Sequence, residues 1–192
     1  MRRLLITGFE PFGGDAVNPA WQAVRLLPDT LGDFVLRKRE IPTVYGEAAA
    51  AVLAEARTFR PDVVLCVGLA GGREAVTPER IAVNIRDARI ADNAGNQPVG
   101  EFAVPGGPAA YFATVPVEAM ARAIREVGLP GAVSNTAGTF VCNDTLYLLL
   151  HHYAGTPVRV GFLHIPRTPE LGLPALELHR SAAALQAAIE VC

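Results

Sequence analysis

The segment Val63-Val64-Leu65-Cys66-Val67 offers no polar residue to water on either side. An uninterrupted apolar run, entered through Pro61-Asp62 and left at Gly68, is the pattern of a strand covered on both faces. Such a strand needs helices above and below it, and the rest of the chain supplies them in alternation. Arg3 to Thr7 predicts a first buried strand, and Asn18 to Leu27 a helix with Asn18 as N-cap and Pro19 in its first turn. Phe34 to Ile41 alternates as a strand, and the Ala-rich Tyr45 to Phe59 is helical.

Further along, Ile81 to Ile90 predicts an extended segment, and Asp92 to Pro108 a long loop rich in Asn, Gly and Pro. Pro116 to Val127 predicts a helix, Ala132 to Ser134 a short strand and Phe140 to Tyr153 a helix. Val158 to Ile165 predicts a strand, and Ala175 to Val191 a closing helix. This order implies α/β architecture: a single three-layer α/β/α domain over 1–192, with a largely parallel, twisted central sheet. The 192 residues suit one such domain, and 51% hydrophobic content can fill its core.

Charge narrows the range of partners. A net charge of −2, with arginines scattered and Lys38 the only lysine, gives no field for nucleic acid or an anionic membrane. The short basic runs, Arg2-Arg3 and Arg37-Lys38-Arg39, fit solvated positions. No apolar stretch approaches a membrane span or a signal-peptide core. Three cysteines without CxxC or Cys/His spacing argue against structural zinc and for a reducing, cytoplasmic setting.

Among those cysteines, Cys142 carries the chemistry. It follows the polar turn Ser134-Asn135-Thr136-Ala137-Gly138-Thr139 and precedes the apolar stretch Leu146 to Leu150, which puts it in the first turn of a buried helix. Unpaired N–H groups and partial positive charge at a helix start favour a thiolate over a thiol. They also suit a developing oxyanion.

His164 falls near the end of the last strand, at the sheet edge where α/β folds bind ligands, and would be the base. His151 and His152 lie about two and a half turns along the Cys142 helix, roughly 14 Å away by helix rise, too far to serve. His179 belongs on the surface of the closing helix, and Cys66 in an inert core strand. The imidazole needs an orienting group. Glu79, in the glycine-rich segment Gly68 to Ile81, leads, with Asp92 and Asp144 as competitors.

Gly8-Phe9-Glu10-Pro11-Phe12-Gly13-Gly14 follows the first strand. Neither glycine-rich segment is GxGxxG or a P-loop, so nucleotide binding is poorly supported. Phe9 and Phe12 beside glycines suit a small, flat, apolar pocket.

Taken in order, these blocks resemble pyroglutamyl peptidase type I, a family of cysteine peptidases also called pyrrolidone carboxyl peptidases. The resemblance covers nearly the whole chain. It rests on Thr7 to Gly14 with Asn18-Pro19, Pro78 to Asn84, Asp87 to Ile90 with Asp92-Asn93, Gly107 to Phe112, Ser134 to Asn143 and Phe162 to Pro166. It implies a catalytic triad of Glu79, Cys142 and His164, and a substrate ring held among Phe9, Phe12, Thr43, Ile90, Phe140 and Val141. Asn18 would brace the first loop, and Arg89 would stand near the site. Leu69 occupies a position where many relatives carry Gln, which leaves only backbone for substrate contact there.

The implied activity is removal of N-terminal pyroglutamyl residues from peptides through a thioester, by a homotetramer with no metal or organic cofactor. Two other readings remain open at this point. A nucleoside phosphorylase on a similar scaffold would need a basic anion site, and a non-catalytic binding module would bind without turnover.

Overall fold

A computed structural model describes residues Met1–Cys192. The centre is β1 (Arg2–Phe9), flanked in parallel by β3 (Phe34–Ile41) and β4 (Val63–Leu69). The sheet continues from β4 to the parallel β8 (Arg159–Ile165). Two short antiparallel strands close its edges, β2 (Thr30–Leu31) on β3 and β5 (Thr77–Pro78) on β8. The order is β2-β3-β1-β4-β8-β5, so the sheet is largely parallel as the alternation implied.

The strand period of two divides the core. Leu4, Ile6, Val63, Leu65, Val67, Leu163 and Ile165 share one cluster with α1 (Pro19–Arg25), α3 (Val117–Glu126) and α5 (Leu178–Glu190). Leu5, Val64, Cys66, Val160 and Phe162 share the other with α2 (Glu47–Phe59) and α4 (Val141–His152). Both faces of β4 are therefore dry, and its central residues are fully buried. Helix α1 begins where the sequence places it: the Asn18 side chain accepts from Ala20 N, and Pro19 fills the first turn. That helix crosses close to β1, since a β-carbon on Gly8 would lie 2.5 Å from Trp21 Cα.

Three expectations are corrected. Of the extended segment Ile81 to Ile90, only β6 (Ile81–Val83) is a strand, paired with β7 (Ala110–Phe112) in a separate ribbon. Beyond it the backbone makes single bonds to scattered loop segments, among them an isolated bridge between Arg86 and Glu101, and Ile85 O accepts from the Asn143 side chain. Ala132 to Ser134 is no strand but makes single bridges, Val76 with Gly131 and Glu79 with Ser134. Finally, α5 starts at Leu178 and not at Ala175, because Arg167 pairs with Ala175 and accepts from Leu176 N. No helix is long and apolar enough to cross a membrane.

Candidate active site

Three elements converge at the carboxyl edge of the sheet. Cys142 is the second residue of α4, after Phe140, an extended N-cap without a side-chain bond. The N–H groups of Val141, Cys142 and Asn143 have no partner within the protein. The first turn is fixed by two buried polar residues. Asn143 exchanges hydrogen bonds with the Val83 backbone and donates to Ile85 O. Asp144 accepts from Arg86 and from Gly46 N.

His164 lies one residue before the end of β8, with Gly68 as its register partner on β4. Paired residues on adjacent strands project to the same face. A β-carbon on Gly68 would lie 2.9 Å from Cys142 Sγ, so the sulfur occupies the space that a side chain beside His164 would fill. Thiol and imidazole thus flank one bare backbone position.

Glu79 follows β5, and its backbone N–H donates to Phe162 O on β8, which carries the carboxylate beside the histidine. His164 Nδ1 is 2.7 Å from Glu79 Oε1. With Nδ1 committed to the carboxylate, Nε2 is the nitrogen left for sulfur. The competing carboxylates are occupied elsewhere: Asp92 accepts from Tyr45, Ala94 and Asn96, and Asp144 serves Arg86 and Gly46.

Arg73 was not singled out by its sequence pattern. Its guanidinium donates to Glu79 Oε1 and Thr77 Oγ1, and through its other terminal nitrogen to Thr136 O at 2.8 Å. It ties the glycine-rich loop, the Glu79 carboxylate and the turn before Cys142 together. The only sequence signal was its place six residues before Glu79 in the same loop. Tyr45 was missed as well. Its ring packs edge-on against Phe140 at 5.6 Å, and its hydroxyl donates to Thr139 O.

Burial sets the protonation states. Desolvation pushes the Cys142 thiol up to about 12 and the Glu79 charge acts in the same direction, against the pull of the helix start towards a thiolate. His164 is pulled below its ordinary value by burial, against the opposing pull of Glu79. Burial also acts to raise Glu79, but the hydrogen bond and charge of His164, with Arg73, hold it below the usual carboxylate range. Cys66, in β4, is pushed to about 12 by burial and is fully buried. Cys192 is free and tied down, its carbonyl accepting from Arg2 at 2.7 Å.

At the turn that leads into α4, a cavity of about 210 Å³ is lined by Phe12, Asp87, Arg89, Ile90, Thr139 and Phe140. The Phe12 and Phe140 rings pack on each other in its wall, tilted by 40° with centroids 6.1 Å apart. Phe9, Thr43 and Val141 are buried and are not among its lining residues; Phe9 packs on Phe162 with centroids 6.0 Å apart. Thr43 donates from its backbone N–H and its hydroxyl to Glu10. Asn18 is also buried, with its amide donating to Glu10 O, so it supports the first loop from beneath. Arg89 is exposed at the rim, and Leu69 lines a second, adjoining cavity. No cluster of side chains suited to holding a metal ion is present.

A family model described as pyroglutamyl peptidase matches residues 2–192. The pyrrolidone-carboxylate peptidase of Levilactobacillus brevis is 52% identical, over 97% of this chain and 95% of its own length. That of Cupriavidus necator is 48% identical, over 98% and 92%. Among solved structures, pyroglutamyl peptidase I of Bacillus amyloliquefaciens superposes with a TM-score of 0.96 at 43% identity, covering 100% of this chain and 96% of that one. The pyrrolidone carboxyl peptidase of Thermococcus litoralis gives 0.94 at 37% identity, covering 100% and 93%.

Proposed function

The chain belongs to the pyroglutamyl peptidase family, and on that premise we propose that it removes N-terminal pyroglutamyl residues from peptides with Cys142 as nucleophile, His164 as base and Glu79 as orienting carboxylate. The observation that carries the assignment is the 2.7 Å contact between His164 Nδ1 and Glu79 Oε1, with the Cys142 sulfur over the neighbouring Gly68.

His164 Nε2 takes the thiol proton as the sulfur attacks the carbonyl carbon that joins pyroglutamate to the next residue. The raised thiol pKa favours this coupled transfer over a standing ion pair. Negative charge builds on the carbonyl oxygen, where the partner-free N–H groups of the first turn of α4 stabilise it. Arg89 adds positive potential at the mouth. The C–N bond then breaks, the imidazolium gives its proton to the leaving amine, and a thioester remains. Water, deprotonated by His164, adds to the thioester; pyroglutamate leaves and the thiol is restored. Glu79 holds the Nδ1–H tautomer throughout and stabilises the imidazolium.

Specificity follows from desolvation. A pyroglutamyl ring carries a lactam and no ammonium, so it enters the cavity lined by Phe12, Ile90 and Phe140 without burying a charge. An ordinary N-terminus would have to leave its ammonium poorly solvated there, at several kcal/mol. The free thiols fit a reducing, cytoplasmic setting. Assembly into a homotetramer would use exposed apolar residues of the long loop, Val99 and Phe102, and light scattering would test it.

The deciding experiment is hydrolysis of a pyroglutamyl-coumarin amide by the native chain and by Cys142→Ser. Turnover is expected only from the first. Substantial turnover by a folded Cys142→Ser protein would remove Cys142 as nucleophile.

A further inference from the structure

The second cavity, about 470 Å³, adjoins the ring slot and shares Phe12, Arg89 and Ile90 with it. Their remaining walls differ. The ring slot is completed by Thr139 and Phe140, on the approach to α4. The larger cavity is completed by Leu69 at the end of β4, by Gly71 just after it and by Arg167 beyond β8. It therefore lies on the side of His164, three residues before Arg167 in the chain. In the mechanism above, His164 protonates the departing amine, so the peptide after the scissile bond must run over that side.

The charges there are unbalanced. Arg89 and Arg167 line the cavity, and neither makes a salt bridge or a side-chain hydrogen bond. Asp15, exposed on the wall, is the single carboxylate. Arg167 is half-buried, and its guanidinium lies across the Gly71 backbone: a β-carbon on Gly71 would come within 2.8 Å of Arg167 Cζ. Its Nη1 approaches Gly172 on the other side, 3.8 Å from where that residue's β-carbon would stand. Two glycines thus leave room for a guanidinium that has no partner within the protein. A planar fork of donors in a half-buried wall matches a carboxylate.

We propose that this cavity is the leaving-group subsite and that Arg167, with Arg89 opposite, selects pyroglutamyl peptides bearing a carboxylate on the residue after pyroglutamate. The inference rests on the proposed pyroglutamyl hydrolysis. The carboxylate can come from the free C-terminus of a pyroglutamyl dipeptide or from an acidic side chain at that position.

Two substrate pairs separate the sources: pyroglutamyl-alanine against its C-terminal amide, and pyroglutamyl-glutamate amide against pyroglutamyl-glutamine amide. At low salt, the native protein should cleave the charged member of at least one pair about tenfold better in kcat/KM, and added salt should compress the ratio. Arg167→Gln should bring the ratio near one, and Arg167→Lys should keep part of it. Native ratios near one in both pairs would overturn the proposal while leaving pyroglutamyl hydrolysis standing. A native preference that survives Arg167→Gln would overturn it too. Failure to cleave all four peptides and the coumarin amide would instead defeat the reading on which it rests. The native ratios and their salt dependence decide the matter even if Arg167→Gln does not fold.

Discussion

The sulfur of Cys142 sits over the bare α-carbon of Gly68: a methyl group there would lie 2.9 Å from Sγ and 2.9 Å from two carbons of the Phe162 ring. The fold accommodates the sulfur by leaving a side chain out of the neighbouring strand.

Gly68→Ala should therefore displace the sulfur, the Phe162 ring or both. Overpacking of this kind costs about 1–3 kcal/mol. A misplacement of about 1 Å at a reacting atom costs on the order of a hundredfold in rate. Turnover of a pyroglutamyl-coumarin amide should fall by about that factor, with a lowered but cooperative thermal transition. A variant with native kcat would show that the sulfur does not need that position.

Glu79→Gln removes the charge opposite Nδ1 of His164 and leaves an amide that can present the wrong group to it. We expect kcat to fall by about 10²–10⁴ with KM nearly unchanged, because the carboxylate acts on the imidazolium formed in the transition state. A rise in KM at constant kcat would argue for a binding role instead.

Arg73→Met tests a positioning role, since Arg73 reaches the reaction only through Glu79. Its positive charge depresses the pKa of both Glu79 and His164. Its loss should lower kcat by roughly tenfold, in keeping with a hydrogen bond to a charged group. It should also move the acid limb of the kcat/KM profile to higher pH. Reduced activity with an unmoved acid limb would mark Arg73 as purely structural.

The pH dependence follows from burial. His164 and Glu79 both have folded pKa values below their ordinary values of 6.5 and 4.5. Each binds its proton less readily when folded, so its stabilisation is complete above the unfolded value and is lost as pH falls towards the folded one. Acid destabilisation should begin just below pH 6.5 and deepen below 4.5. Catalysis needs the neutral imidazole, so kcat/KM should rise through a midpoint below 6.5. With the thiol held up to about 12, there should be no thiolate ultraviolet band at neutral pH and no alkaline decline in the ordinary thiol range. A decline centred near ~8.5, the value of a free cysteine, would contradict this state of the site.

Much of this was legible in the chain because it is local. Asn18-Pro19 marks a helix start through two residues, and the dry run Val63 to Val67 demands cover on both faces. Cys142 at a helix start and His164 at a strand end depend only on neighbouring residues. The failures are equally physical. Ile81 to Ile90 has strand-like alternation, but its later half meets the Asn143 side chain and single backbone groups of separate loops instead of a strand. Ala132 to Ser134 finds only single bridges.

By itself, the sequence determined the alternation of layers, the helix that carries Cys142 and the strand that ends at His164, because periodicity and capping act within a few residues. Only the tertiary structure decided that Glu79, 85 positions from His164, and neither Asp92 nor Asp144, meets the imidazole. It also decided that Arg73 holds that carboxylate, and that burial pushes the Cys142 thiol up. These outcomes depend on strand register and on desolvation, and both exist only after distant segments have excluded water together.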